Sequence, residues 1–284
     1  MPNAATLRRR LRTELRHARK QVGLTQREVA DALDWSPSKV LRIEGGQVAV
    51  STTDLMALLR LYKVHDQDLI DKLTSMARQS KRQSWSQYRD VISSETADYF
   101  GYEASASIIR HFEPLIVPGL LQMKSYTRAL LKNAYRTDDS IVERHIEARI
   151  ERQELFEREE PPETFFIIGE PVIRQMVGSP QVMREQLERL LELGAGAATS
   201  IQVVPFSSNA HVGLRGPFAL LDFSDEEGPP DVLYLEGQSD SGALPEGDER
   251  TNQYLNYFWD LEALALSKNE SAELIASALK HLNV

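Results

Sequence analysis

The punctuation of residues 25–46 leaves room for two short helices and little else. Thr25-Gln26-Arg27-Glu28 has the form of a capping box. The threonine hydroxyl can accept the amide three residues on, while Glu28 reaches back to the cap. A helix is therefore predicted from Gln26, with Val29, Ala30 and Leu33 on its apolar face and an end at Asp34-Trp35. Ser36-Pro37 then gives an N-cap followed by proline at the first helical position, where no amide hydrogen is needed and the fixed φ suits a helix. A third helix burying Val40 and Ile43 follows, and Gly45-Gly46 stops it.

Further helices frame this pair. Leu7, Leu11, Leu15, Ala18 and Val22 recur at helical spacing up to Gly23. Ser51 to Asp54 opens a fourth helix with Leu55, Leu58, Leu59 and Tyr62 on one face, and a fifth is predicted from Asp66 to Gln79. Two short helices joined by a turn of three or four residues and packed by others fit a helix-turn-helix, whose second helix enters the major groove of DNA, but any small helical bundle would show the same capping signals.

Charge bears on that reading, because neutralising phosphates calls for Lys and Arg. The chain of 284 residues has a net charge of −9. Residues 1–92, however, hold 17 Lys and Arg against 10 Asp and Glu, a net of +7, whereas the remainder holds 16 against 32, a net of −16. A basic segment is joined to an acidic body, a sign asymmetry typical of an interaction module on a solvated carrier. Cysteine is absent, which removes disulfides, thiolate nucleophiles and cysteine-bound metal. No apolar run reaches the roughly 18 to 20 residues of a membrane span, and no signal-peptide pattern opens the chain, so a soluble cytoplasmic protein is expected.

The stretch T-Q-R-E-V-A-D-A-L-D-W-S-P-S-K-V-L-R-I-E-G-G resembles the lambda-repressor-like, or XRE-type, helix-turn-helix family over about residues 7–80. The resemblance implies base-facing positions at Pro37, Ser38 and Arg42, with Lys39 near bases or backbone and Gln26, Arg27 and Ser36 in the rest of the DNA-facing set. Arg42 is the best specific reader, since its planar fork can donate twice to guanine O6 and N7. Proline at a base-facing position makes apolar contact only. Gln26, at a helix N-terminus, is placed to hold a phosphate. Ala30 is expected to face a crossing helix, Glu44 to serve as a cap or ion-pair residue, and Arg8, Arg9 and Arg10 to offer phosphate contacts or solvated charge.

Beyond a connector expected over residues 81–100, the acidic body reads as a second domain, 101–284. Trp85, Tyr88, Tyr99, Phe100 and Tyr102 are expected to pack between the domains. Glu103 to His111 reads helical, as do Asp139 to Glu159, the segment around Met183 to Leu191, and two closing stretches. Strands are predicted at Phe165–Ile168, Ile201–Pro205, Phe218–Phe223 and Val232–Glu236, the first two parallel and the later ones an antiparallel meander, with a hairpin loop at Ser224–Asp231. The fold class is α+β overall: an all-α five-helix module, then a mixed α/β domain of about four strands flanked by helices.

The segments V-P-G-L-L-Q, E-A-R-I-E-R-Q, V-M-R-E-Q-L, I-Q-V-V-P-F, G-P-F-A-L-L-D-F and Y-L-E-G resemble the C-terminal domain of unknown function found behind XRE-type modules in many actinobacterial regulators, over about residues 100–280. Gly169 stands where an Asp often precedes Glu170, and Asn209 where a Gly often occurs before His211. The resemblance implies a transcriptional regulator, in some members antitoxin-like and paired with a small partner protein. The expected partners are a double-stranded DNA operator, a second copy of the chain and that small protein; the alternative is an adaptor that sequesters it. No enzyme, cofactor or metal is expected. The six histidines are scattered, no H-E-x-x-H occurs, and Gly237 to Gly242 lacks the glycine of a nucleophile turn. The loop of His211, Gly213, Arg215 and Gly216 reads as a strand connection.

Overall fold

The computed structural model describes residues 4–44, 48, 50–79, 85–133, 136, 138–223, 232–235 and 248–282. The predicted helix stop at Gly45-Gly46, the hairpin loop 224–231 and the loop 237–242 fall outside those residues.

The chain separates into two compact units, the first ending at Ser86 and the second beginning at Gln87. The first holds five helices: α1 (Ala4–Gln21), α2 (Gln26–Leu33), α3 (Pro37–Glu44), α4 (Thr52–Leu61) and α5 (Gln67–Gln79). Their apolar stripes meet in one core, in which Leu11, Leu15, Val29, Ala30, Val40, Ile43, Leu55 and Leu58 are almost fully buried.

Three of these helices end in the same way. After α1, Leu24 N–H donates to Arg19 O and Gly23 N–H to Lys20 O; after α2, Trp35 N–H donates to Ala30 O and Asp34 N–H to Asp31 O; after α4, Val64 N–H donates to Leu59 O and Lys63 N–H to Arg60 O. This pairing of carbonyls that the helix leaves orphaned is the Schellman motif, and it needs a left-handed residue just past the helix. Gly23 supplies it at φ 72°, whereas Asp34 and Lys63 adopt φ 54° and 56° despite carrying a Cβ.

The second unit contains α6 (Ser94–Glu103), β1 (Ile108–Glu113), α7 (Lys124–Asn133), α8 (Asp139–Gln153), β2 (Glu163–Gly169), α9 (Glu170–Arg174), α10 (Pro180–Gly194), β3 (Thr199–Val204), β4 (Phe218–Asp222), β5 (Val232–Leu235), α11 (Asp248–Leu264) and α12 (Lys268–Lys280). The sheet order is β3-β2-β1-β4-β5. β1 runs parallel to β2 and antiparallel to β4, β2 is parallel to β3, and β4 is antiparallel to β5.

One expectation is corrected here. The sheet has a fifth strand besides the four predicted, because Ile108–Glu113, whose first four residues fall in the Glu103–His111 stretch read as helical, is its central strand. A short strand buried on both faces carries no alternation to distinguish it from a buried helix; Ile109, His111, Phe112 and Glu113 are all buried. The parallel pairing expected of the first two predicted strands is found in β2 and β3, and the antiparallel meander expected of the later two in β4 and β5; β3 lies at the far edge beyond β2, and β1 separates β2 from β4.

Phe112, Ile167, Phe218, Leu220 and Leu233 form a core with Phe258 and Leu261 of α11. The β3 edge is covered by the junction of α11 and α12: Leu266 N–H donates to Val203 O, and Val203 N–H donates to Ser271 Oγ. Tyr88, Tyr99, Phe100 and Tyr102 belong to the second unit and are buried. Tyr99 stacks on Tyr234 at 3.9 Å, and Tyr88 donates a 2.8 Å hydrogen bond to Glu151. α6 and α8 are tied by a buried ion pair, Arg152 to Glu103, with the guanidinium lying 4.2 Å from the Phe100 ring centroid.

Candidate nucleic-acid interface

The capping box forms as the spacing dictates. Glu28 N–H donates to Thr25 Oγ1 at 3.3 Å and Thr25 N–H to Glu28 Oε2 at 2.7 Å. The Thr25 amide and hydroxyl bonds hold the Glu28 carboxyl below the usual carboxylate range. α2 ends at Leu33, and Asp34, Trp35 and Ser36 form a three-residue turn. Lys39 N–H donates to Ser36 Oγ at 3.3 Å, the N-cap predicted for α3.

The orientation of α3 is fixed from its last residue. Glu44, almost fully buried, accepts from Arg19 Nε at 2.7 Å and Nη2 at 3.0 Å, and from Gln26 Nε2 at 2.8 Å. Arg16 Nη2 donates to the Glu44 carbonyl at 2.8 Å, satisfying an orphan acceptor at the helix end. One carboxylate therefore ties α1, the start of α2 and the end of α3 together. The Glu44 hydrogen bond raises the Arg19 pKa. Burial lowers that of Arg16.

With Val40, Ile43 and Glu44 turned inward, α3 presents Pro37, Ser38, Leu41 and Arg42 to solvent and leaves Lys39 half-buried. Arg42 Nε donates to Ser38 O, one turn back along the same helix. Lys39 is anchored sideways: its Nζ lies 2.7 Å from Asp54 Oδ1 at the start of α4 and 3.7 Å from the Trp35 ring centroid. Arg27 and Ser36 are exposed, and Gln26 is half-buried.

The structure thus brings Ser36, Pro37, Ser38, Lys39 and Arg42 onto or beside one helix face, and binds Gln26 to that helix through Glu44. It gives the Gln26 amide a partner inside the protein, where the sequence suggested a phosphate. Sequence reasoning overlooked Leu41, 55% exposed on the same face. The signal was available, because helical spacing puts residue 41 between residues 37 and 38 around the axis. Ala30 is fully buried, as its small size requires where helices cross.

In the second unit, His211 accepts a hydrogen bond from Gly213 N–H and so caps a short turn, as a strand connection would. Among the described residues no group of His, Asp and Glu is arranged to hold a metal ion, and no helix is long and apolar enough to cross a membrane.

A helix-turn-helix domain profile matches residues 10–73, the same five-helix region, and marks the chain as a DNA-binding regulator of the helix-turn-helix class. The profile of a domain of unknown function, DUF5753, matches residues 96–277. The chain belongs to that DUF5753 family. Searches of curated proteins and of solved structures find no match.

Proposed function

We propose that this chain is a cytoplasmic, sequence-specific transcriptional regulator whose α3 reads base edges in the major groove. DNA binding falls to residues 1–80, and the second domain, beyond a connector, carries dimerisation and the response to a partner protein or small molecule. A homodimer would engage two half-sites about 34 Å apart, one helical turn of DNA. The observation that carries this reading is the exposed face of α3, with Arg42 and Ser38 projecting from a helix whose position is fixed by the buried Glu44 carboxylate. Arg42 supplies a bidentate donor for guanine, and Ser38 a hydroxyl that suits either donor or acceptor edges.

The acidic body gives the reading a further consequence. Its charge repels phosphate, so contact is confined to the basic unit, and affinity falls steeply as salt rises. A signal acts on such a protein only by binding DNA-competent and incompetent states with different affinity. Selection from random-sequence duplexes with the purified full chain tests the proposal. A motif of two related half-sites is expected. Recovery of unenriched DNA, or no retained DNA together with a tightly co-purifying small protein, would contradict it, the latter in favour of a sequestering adaptor.

A further inference from the structure

We propose that Leu41 is a base-reading residue, and that each DNA half-site sets a thymine C5-methyl against it. The inference rests on the reading of α3 as the recognition helix.

Successive residues of an α-helix are about 100° apart around its axis. Val40, Ile43 and Glu44 occupy the buried side of α3, and the opposite arc runs Pro37, Leu41, Ser38, Arg42, Lys39. Leu41 lies inside this arc, next to Ser38 at its middle. Lys39 lies at its end and is drawn aside by Asp54 and Trp35. The exposed surface therefore splits into two strips at i, i+4 spacing: an apolar one of Pro37 and Leu41, and a polar one of Ser38 and Arg42.

A single exposed leucine is unremarkable on most surfaces. Here it lies on the exposed face of α3, between Pro37 and the hydrogen-bonding strip of Ser38 and Arg42. The major-groove edge of DNA carries one apolar group able to meet it, the thymine methyl. The strips then read chemically different edges side by side: Arg42 takes guanine, and Leu41 takes the methyl of a neighbouring thymine. Proline, shorter and at the start of the helix, flanks the same pocket of groove surface.

The test uses the full chain and its selected duplex, with each thymine replaced in turn by deoxyuridine, which removes the methyl and leaves every hydrogen-bonding group in place. One replacement per half-site should weaken wild-type binding about three- to fivefold, the loss expected for one buried methyl. Leu41→Ala should lose that sensitivity, keep its thermal stability because the residue faces solvent, and retain its guanine preference. Equal binding of wild type to every deoxyuridine duplex, or an unchanged profile in Leu41→Ala, would overturn the inference. So would sensitivity that disappears in Pro37→Ala while persisting in Leu41→Ala. If wild type and variant alike enrich no sequence, the reading of α3 itself falls.

Discussion

Arg19 in α1 and Glu44 at the end of α3 meet through two charge-assisted hydrogen bonds in a site nearly closed to water, their side chains 13% and 3% exposed. A buried pair of this kind is costly to break, because the survivor keeps its charge without a counter-charge. Glu44→Ala is expected to destabilise the first unit by roughly 3–5 kcal/mol. Urea unfolding of the full chain, followed by hydrogen exchange in α1 to α3, checks this; a loss below about 1 kcal/mol would mean that the pair behaves as a surface one.

Asp34 closes α2 in the left-handed conformation that glycine adopts at the equivalent position after α1. A residue with a Cβ pays roughly 1–2 kcal/mol there, partly recovered by the local hydrogen bonding open to aspartate. Asp34→Gly should therefore raise stability by about 1 kcal/mol, with α3 left in place, whereas Asp34→Val should lower it. Melting temperatures of the two variants should move in opposite directions.

Gly169 ends β2. A Cβ at this position would lie 2.6 Å from the Pro114 carbonyl oxygen and 3.2 Å from Pro114 Cα. Backbone cannot swing aside as a side-chain tip can. Gly169→Asp is expected to destabilise the second unit by about 1–3 kcal/mol. A variant as stable as wild type in thermal unfolding would show that the loop at Pro114 yields freely.

His111, on the central strand, is buried, and its Nδ1 has no hydrogen-bond partner among the described residues. Burial first, and the Arg152 charge second, lower its pKa to about 3. The folded chain keeps the ring neutral while the unfolded chain takes up a proton below the ordinary histidine value near 6.5. Stability from this group is thus fully present above pH 6.5 and lost as pH falls toward 3, at up to about 1.4 kcal/mol per pH unit. Burial shifts His145 in the same direction. Between pH 6.5 and 5, above the main carboxylate range, His111→Gln should flatten the pH dependence of urea midpoints. An unchanged slope would refute the assignment.

These positions also show why some features were legible and others were not. The capping box at Thr25 and Glu28, the Ser36-Pro37 start of α3 and the burial of Val40 and Ile43 depend on residues within four places of each other, and local spacing suffices to read them. Glu44 could be read as an ion-pair residue, but its partners stand 25 and 18 residues away in sequence, where spacing carries no information. The strand at Ile108–Glu113 exists because β2 and β4 flank it, and nothing within the segment records those neighbours. Likewise the tether of Lys39 to Asp54, 15 residues on, forms only when α4 is packed beside α3, and local spacing does not record it.

The central claim is that the exposed face of α3 reads bases, and it is tested most directly by binding wild type and Arg42→Ala to every single-base variant of the selected half-site. Wild type should discriminate by about 1–3 kcal/mol at one guanine, and Arg42→Ala should lose that preference while keeping the others. Lys39→Ala should weaken all duplexes alike. Superimposable base profiles for wild type and Arg42→Ala would contradict the account.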